Sequence, residues 1–161
     1  MTGTDTARPI SRLQLMTGRG ADDGAKPGER QSPERGLAIR RVAVVEDELM
    51  VAWTIESLLE DLGLEVVGMF ANGEDAVAAL KDAAVDLICL DINLGRGIDG
   101  IETARRIREG QPAAILFISA YSDDDTRARI GEIAPDAALI GKPTSLAALK
   151  QAIADFERPP H

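Results

Sequence analysis

Cysteine, histidine, tryptophan and tyrosine each occur once in this chain of 161 residues, and aromatic residues make up only 3% of it. The single cysteine, Cys89, excludes a disulfide framework and any cysteine-based metal site of recognisable spacing, which favours a reducing compartment. Cys89 also stands in an apolar run, so we expect a buried and unreactive thiol. With so few aromatic side chains, the core must consist of Leu, Ile, Val and Ala, as is typical of α/β proteins.

Long apolar runs are absent as well. No stretch of eighteen or more apolar residues occurs, and the first residues lack the uninterrupted apolar segment of a secretory signal. We therefore expect a cytoplasmic protein that does not insert into a membrane.

Positive charge is scarce in most of the chain. The formal net charge is −9, and residues 41–161 carry eleven Lys or Arg against twenty-two Asp or Glu. Residues 1–40, in contrast, carry seven basic residues against five acidic ones. Because an acidic domain does not attract phosphate backbones, we expect no direct contact with nucleic acid and a protein or cation as the partner.

The length leaves room for one domain. The first 38 residues are rich in Gly, Pro, Ser, Thr, Arg and Asp, a composition that cannot bury enough apolar surface to offset the entropy of ordering. We therefore predict a disordered extension over 1–38, one domain over 39–158 and a short tail over 159–161. The stretch Ile10–Met16 could form a short turn of helix against a partner; a translation start placed too far upstream would explain the extension equally well.

From residue 41 onward, short β-branched runs alternate with segments of helical periodicity, which is the pattern of βαβ units around a parallel sheet. Right-handed crossovers then predict an α/β fold with a doubly wound five-stranded parallel sheet and five helices. Its ligand site should lie beyond the carboxyl ends of the strands. The predicted strands are 41–45, 65–70, 86–90, 114–118 and 137–140; the predicted helices are 48–62, 74–83, 99–109, 123–132 and 145–157.

Several of the predicted helices have recognisable ends. Gly63 can end the first helix in a left-handed conformation. Asp99 is the predicted N-cap of the third helix, and Ser122 with Asp125 forms a capping box for the fourth. On the first helix Trp53 could be partly packed or belong to a contact surface, and we expect packing. The residues predicted to face the core from the first and fifth helices are Ala52, Ile55, Leu59, Leu62, Leu146, Leu149, Ile153 and Phe156.

Chemically active side chains follow the predicted strands at the edge where the site is expected. Crowded carboxylates repel one another, and the usual remedies are proton uptake or a hard cation, so Glu46, Asp47 and Asp91 predict a Mg²⁺ site. Such a cation would hold the oxygens of an incoming phosphoryl group while Asp91 serves as the nucleophile. Ser119 and Lys142 could hydrogen-bond or neutralise the remaining oxygens.

In these residues the sequence resembles the receiver domains of two-component response regulators, over about residues 40–158. The family's signature is an acidic pair after the first strand, an acceptor Asp ending the third, Thr or Ser ending the fourth, and Lys-Pro after the fifth. The resemblance implies a flavodoxin-like, CheY-like fold with strand order 2-1-3-4-5. It is carried by Glu46 with Asp47, Asp91, Ser119, and Lys142 with Pro143.

The resemblance also implies roles for individual residues. Asp47, Asp91 and the backbone carbonyl of Asn93 would ligate Mg²⁺, with Glu46 contributing through water. Asp91 would take its phosphoryl group from a phosphohistidine of a sensor histidine kinase or histidine phosphotransfer protein. Ser119 would then swing toward the phosphoryl group and shift the surface of the fourth helix, fifth strand and fifth helix.

Four positions depart from the family pattern or leave it open. Glu46 stands where Asp is more usual, which lengthens the stem of that carboxylate without removing its charge. Leu139 stands where the family often has Tyr or Phe as a reporter of phosphorylation. Tyr121 and Asn93 occupy places that tune the lifetime of the phosphate in the family.

The glycine-rich stretch Gly95–Gly100 matches the dinucleotide-binding pattern and follows a predicted strand. In that motif an acid at the end of the next strand holds a ribose, whereas the fourth predicted strand ends in Ile118-Ser119-Ala120. A flexible connection beside Asp91 explains the glycines more simply.

We therefore expect a stand-alone receiver that signals through another protein, with no turnover of an external substrate and with homodimerisation left open. His161 is the only histidine, so the chain cannot be the phosphohistidine donor. One alternative is a phosphatase with an Asp nucleophile, but Asn93 replaces the general-acid Asp of those enzymes. Another is a pseudo-receiver that binds partners without phosphorylation.

Overall fold

The computed structural model describes residues 38–158. The stretch Ile10–Met16 and His161 lie outside the described residues. Within residues 38–158, five strands and five helices alternate, as the sequence predicts. They are β1 (Arg41–Val45), α1 (Leu49–Asp61), β2 (Glu65–Phe70), α2 (Gly73–Leu80), β3 (Leu87–Leu90), α3 (Gly100–Arg108), β4 (Ala114–Ser119), α4 (Asp124–Ile133), β5 (Ala138–Gly141) and α5 (Leu146–Glu157).

The five strands form one parallel sheet in the order β2-β1-β3-β4-β5, which confirms the predicted topology. All residues of β3 and β4 are buried, as expected for inner strands covered on both faces. Because the strands are parallel, the residues that follow their carboxyl ends collect at one edge of the sheet.

Two layers of helices enclose the sheet, and the alternation of side chains along β1 shows how. Val42 and Val44 face the layer of α1 and α5, whereas Ala43 and Val45 face the layer of α2, α3 and α4. Burying a Val, Leu or Ile side chain fully contributes about 1.5–3 kcal/mol. Aliphatic residues on both faces therefore supply the core that the scarcity of aromatic residues requires.

Two of the three helix caps predicted from the sequence are present, whereas α2 ends at Leu80 rather than at residue 83. Gly63 follows α1 with φ of +79°, and the Asp99 carboxylate caps α3 by accepting a hydrogen bond from the Glu102 N–H at 2.8 Å. The predicted capping box of α4 is wrong. Asp123 is its N-cap and accepts from the Thr126 N–H at 2.8 Å, while the Ser122 hydroxyl accepts from the Arg127 guanidinium instead.

One exposed apolar residue contradicts the predicted packing of the fifth helix: Leu146 is 40% exposed, although it was expected to pack inward. Leu146 is the first residue of α5. Trp53 on α1 is 44% exposed, so it is only partly packed. Cys89 is buried as predicted, and burial raises the pKa of its thiol to about 12.

The described helices are also short. None of those in residues 38–158 is long and apolar enough to cross a bilayer.

Candidate functional site

A cleft of about 320 Å³ opens at the carboxyl edge of the sheet. Asp91 follows β3, Ser119 ends β4, and Lys142 follows β5. Asp47 enters the cleft from the connection between β1 and α1. The residues that line the cleft are Asp47, Glu48, Asp91, Asn93, Gly95, Ser119, Ala120, Tyr121 and Lys142.

The backbone around Asp91 is fixed by close contacts with β1 and α3. The Asp91 N–H donates to the Val45 carbonyl at 2.9 Å, and the Gly100 N–H donates to the Ile92 carbonyl at 2.8 Å. A Cβ atom at position 100 would lie 2.0 Å from the Asp91 carbonyl oxygen. Only glycine therefore allows α3 to begin directly beside the carboxylate.

One ammonium group joins two buried carboxylates in the cleft. Lys142 Nζ lies 2.5 Å from Glu46 Oε2 and 2.9 Å from Asp91 Oδ2. Glu46 and Asp91 are only 3% and 5% exposed. Buried acids need such partners because an unpaired buried charge is costly.

The pKa values of this cluster reflect the competition between burial and hydrogen bonding. Burial raises the pKa of Glu46 to about 7, although hydrogen bonds from Lys142 and the Glu48 N–H favour its ionised form. Burial also disfavours the charged form of Lys142, but its hydrogen bonds to Glu46 and Asp91 outweigh that penalty and hold its pKa above the usual value. The lysine therefore carries its charge between the two acids.

Asp47 adds a third carboxylate, which is exposed to solvent. Oxygen atoms of Glu46, Asp47 and Asp91 all lie within 4.8 Å of one another. Gly95 lies close by, since a Cβ at that position would be 3.0 Å from Asp47 Oδ2. A cluster of three carboxylate oxygens is a donor set that suits a hard divalent cation.

The remaining predicted residues surround Asp91. The Asn93 N–H donates to Asp91 Oδ1 at 3.1 Å. The Ser119 hydroxyl accepts from the Tyr121 N–H at 3.3 Å, and the Tyr121 side chain is 73% exposed at the rim. All the residues named by the sequence thus lie at one edge of the sheet, whereas Leu139 lies inside β5, partly buried against the core.

Glu74 contacts the connection between β3 and α3 that lies beside the site, and it was not identified from the sequence. Its carboxylate accepts a hydrogen bond from the Ile98 N–H at 2.9 Å, and this bond lowers the pKa of Glu74. Gly97, with φ of +77°, has no room for a Cβ because the Glu74 carboxylate lies against it. The glycines of this connection were predictable, but a partner 24 positions away in sequence was not.

Comparison with known proteins agrees with this geometry. A sequence model of the family described as "Response regulator receiver domain" matches residues 42–154. That range covers β2 to β5 in full, β1 except its first residue, and most of α5.

Two curated relatives match this chain over only part of their own length. The Transcriptional regulatory protein PdtaR of Mycobacterium tuberculosis is 32% identical over 114 residues, which are 71% of this chain and 55% of the relative. A protein-glutamate methylesterase/protein-glutamine glutaminase of Halobacterium salinarum is 37% identical over 87 residues, which are 54% of this chain and 25% of the relative. The chain therefore spans about a quarter to a half of the length of these relatives.

Two solved structures are similar over most of the described domain. The signal receiver domain of a modulated diguanylate cyclase from Desulfovibrio desulfuricans G20 is 34% identical with a TM-score of 0.68, over 74% of this chain and 94% of that one. A response regulator receiver protein from Sinorhizobium medicae WSM419 is 28% identical with a TM-score of 0.64, over 74% and 95%. With the family match and the shared fold, the chain belongs to the response regulator receiver domain family of two-component signalling.

Proposed function

We propose that this chain is a single-domain response regulator that accepts a phosphoryl group on Asp91. The donor is a phosphohistidine of a sensor histidine kinase or a histidine phosphotransfer protein, and the phosphorylated form acts by contacting another protein. The observation that carries the proposal is the position of Asp91, whose buried carboxylate faces the cleft and is bonded to Lys142 at 2.9 Å.

The proposed reaction is an in-line transfer between two nucleophiles. A carboxylate oxygen of Asp91 attacks phosphorus; the new P–O bond forms as the P–N bond to the donor imidazole breaks, and the imidazole nitrogen keeps the electron pair and takes up a proton. Lys142 lies close enough to Asp91 to bond to the phosphoryl oxygens once the negative charge has moved there from the carboxylate. Ser119 can donate its hydroxyl proton to one of those oxygens, because that proton is not used in its bond from Tyr121. Water later attacks the acyl phosphate and releases inorganic phosphate.

The acidic cluster fits the Mg²⁺ ion that the family uses. Asp47, Asp91 and the Asn93 carbonyl would hold it, and Glu46 would contribute through water. When bound, the ion neutralises charge on the phosphoryl oxygens and orients them. The fit rests on the donor set, since three carboxylates converge within 4.8 Å and Mg²⁺ prefers oxygen ligands.

We propose no turnover of an external substrate. Asn93, two positions after Asp91, cannot donate a carboxyl proton as the second Asp of aspartate phosphatases does. The methylesterase of Halobacterium salinarum matches this chain over only 25% of its own length, so its named activity does not transfer with the match. The acidic composition supports a protein partner rather than direct binding to nucleic acid.

Transmission of the signal must differ in detail from receivers with an aromatic reporter. Leu139 pairs with Phe117 across β4 and β5 and is packed against the core. We expect a phosphorylated Asp91 to draw Ser119 inward and to alter the exposed connection at Tyr121, whose N–H is bonded to the Ser119 hydroxyl.

Intact mass spectrometry after incubation with acetyl phosphate and Mg²⁺ tests the proposal. The unmodified chain should gain the mass of one phosphoryl group, and Asp91→Asn should gain none. Asp82→Asn is the matched control, because it makes the same acid-to-amide change at an exposed position on the opposite edge of the sheet. A chain that gains no phosphoryl group would support the pseudo-receiver, and steady hydrolysis of many equivalents of a phosphate monoester would support the phosphatase.

A further inference from the structure

A second concavity, of about 460 Å³, lies beside the cleft, between α1 and the connection from β5 to α5. We call it the α1 groove. Its walls are mostly apolar, and it shares Ala120 and Lys142 with the cleft. Its other lining residues are Met50, Val51, Thr54, Ile55, Ile118, Pro143 and Thr144.

Helix α1 and the start of α5, which follows the connection that borders the α1 groove, carry large apolar side chains that are exposed to water. Met50, in the groove wall, is 70% exposed, and Leu49, Trp53 and Leu146 are 53%, 44% and 40% exposed. Clustered exposed apolar residues are a feature of surfaces that bind a partner.

The surface around the α1 groove is acidic. Residues 47–61, which run from the connection after β1 through α1, contain five Asp or Glu and no Lys or Arg. The ammonium of Lys142 is already bonded to Glu46 and Asp91. The ligand that complements this groove is therefore an apolar segment carrying positive charge.

This chain contains such a segment outside the described residues. Positions 8–19 carry three arginines and no acidic residue. Between these arginines stand four large apolar residues, which match the apolar walls of the groove. They are Ile10, Leu13, Leu15 and Met16.

The tether between this segment and the domain is long enough. About eighteen residues, positions 20–37, separate them, and a chain of that length can span up to about 60 Å. Helix α1, of 13 residues, is only about 20 Å long. A tethered segment also acts at an effective concentration in the millimolar range, so that weak binding is sufficient for occupancy.

We propose that residues 8–19 bind in the α1 groove of the same chain. A second copy fits less well, because a symmetric contact would place the acidic α1 of one chain against that of the other. If the proposed function of Asp91 holds, an occupied groove slows phosphoryl transfer from a protein donor more than from acetyl phosphate, because the groove borders the cleft at Lys142.

Trp53 reports on this contact, because it is the only tryptophan and lies on α1 three residues after Met50, which lines the groove. Its fluorescence and its quenching by acrylamide are measured in the full-length chain. We expect Leu13→Ser/Leu15→Ser to shift the emission to longer wavelength and to increase quenching. Arg8→Ser/Arg12→Ser/Arg19→Ser should act in the same direction. The matched control Lys26→Ser/Arg30→Ser/Arg35→Ser removes equal charge from the tether and should leave both signals unchanged.

Whether residues 8–19 bind in the α1 groove, rather than elsewhere on the domain, is tested by combining variants. In a Met50→Glu background the Leu13→Ser/Leu15→Ser change should have no further effect on Trp53, whereas its effect should persist with Ala79→Glu, an exposed position on α2 on the other side of the sheet. Equal quenching in all tail variants would overturn the proposal. Protection of Trp53 that grows with chain concentration would also overturn it, and would indicate a second copy.

The measurement on Trp53 requires no phosphorylation. Failure of the groove proposal can therefore be distinguished from failure of the proposed phosphorylation of Asp91. Asp91→Asn should keep the protection of Trp53 even though it cannot be phosphorylated.

Discussion

The two helical layers of this receiver domain differ at their outer surfaces although they are alike at their inner ones. Ion pairs cover the layer of α2, α3 and α4: the Glu102 carboxylate binds two arginines, Arg129 joins α4 to Asp99, and Arg108 reaches Asp136. The layer of α1 and α5 instead exposes a cluster of large apolar side chains beside the α1 groove.

The difference indicates that the outer surface of α2, α3 and α4 faces solvent, whereas the outer surface of α1 and α5 is covered by a further chain segment. Both layers bury leucines completely, such as Leu59 on α1 and Leu80 on α2, so the contrast does not arise from the core. It arises where α1 begins, next to the cleft that contains Asp91.

The strongest test of this comparison truncates residues inside and outside the core. Leu59→Ala and Leu80→Ala should each lower the free energy of unfolding by about 3 kcal/mol, because each leaves a cavity in a packed layer. Met50→Ala should change it by less than about 0.5 kcal/mol, because Met50 is an exposed surface residue. Urea unfolding followed by circular dichroism measures all three. A large cost for Met50→Ala would mean that the apolar surface of α1 supports the fold rather than a partner.

A second test concerns the junction of α3 with the site. Gly100→Ala should lower the free energy of unfolding by about 2 kcal/mol, because the new Cβ would meet the Asp91 carbonyl oxygen and force the backbone apart. Gly131→Ala, within α4, is the matched control. It has no atom within 4 Å of its Cβ position and should stabilise the chain by about 0.5–1 kcal/mol, because alanine favours the helix. If the two substitutions have the same effect, α3 is not held against Asp91 as described.

The smallest expected effect tests the ion pairs of the first layer. Hydrogen bonds from Arg105 and Arg106 lower the pKa of Glu102 to about 2. Its stabilising contribution is therefore present above the ordinary pKa near 4.5 and is lost as pH falls toward 2. The urea midpoints of the unmodified chain and Glu102→Gln should differ slightly at pH 7 and converge below pH 4.5. High salt should reduce the difference at pH 7. A difference that persists at pH 2 would exclude this electrostatic origin.

The fold was largely predictable because its signals are local and repeated. Alternating apolar runs located the strands, and Asp99 marked the start of α3 correctly. The N-cap of α4 was misassigned because Ser122 and Asp123 both have suitable side chains, and only the backbone decides which of them accepts from the helix. Leu146 was misplaced because the periodicity of α5 shows which face is apolar but not what covers its first residue.

The candidate site was predictable in composition but not in connectivity. The positions of Asp91, Ser119 and Lys142 at strand ends follow from the chain order in a parallel sheet. That Lys142 bonds to both Glu46 and Asp91 depends on side-chain geometry that no spacing encodes. The bond between Glu74 and the Ile98 N–H likewise joins two connections that are distant in sequence.

The central claim is tested most directly by locating the phosphoryl group within the chain. After reaction with acetyl phosphate and Mg²⁺, peptide mapping by tandem mass spectrometry should place one phosphoryl group on the peptide that contains Asp91. Hydroxylamine should remove it, because an acyl phosphate is cleaved where a phosphate ester is stable. A hydroxylamine-resistant phosphate on Ser119, or on any peptide without Asp91, would contradict the account.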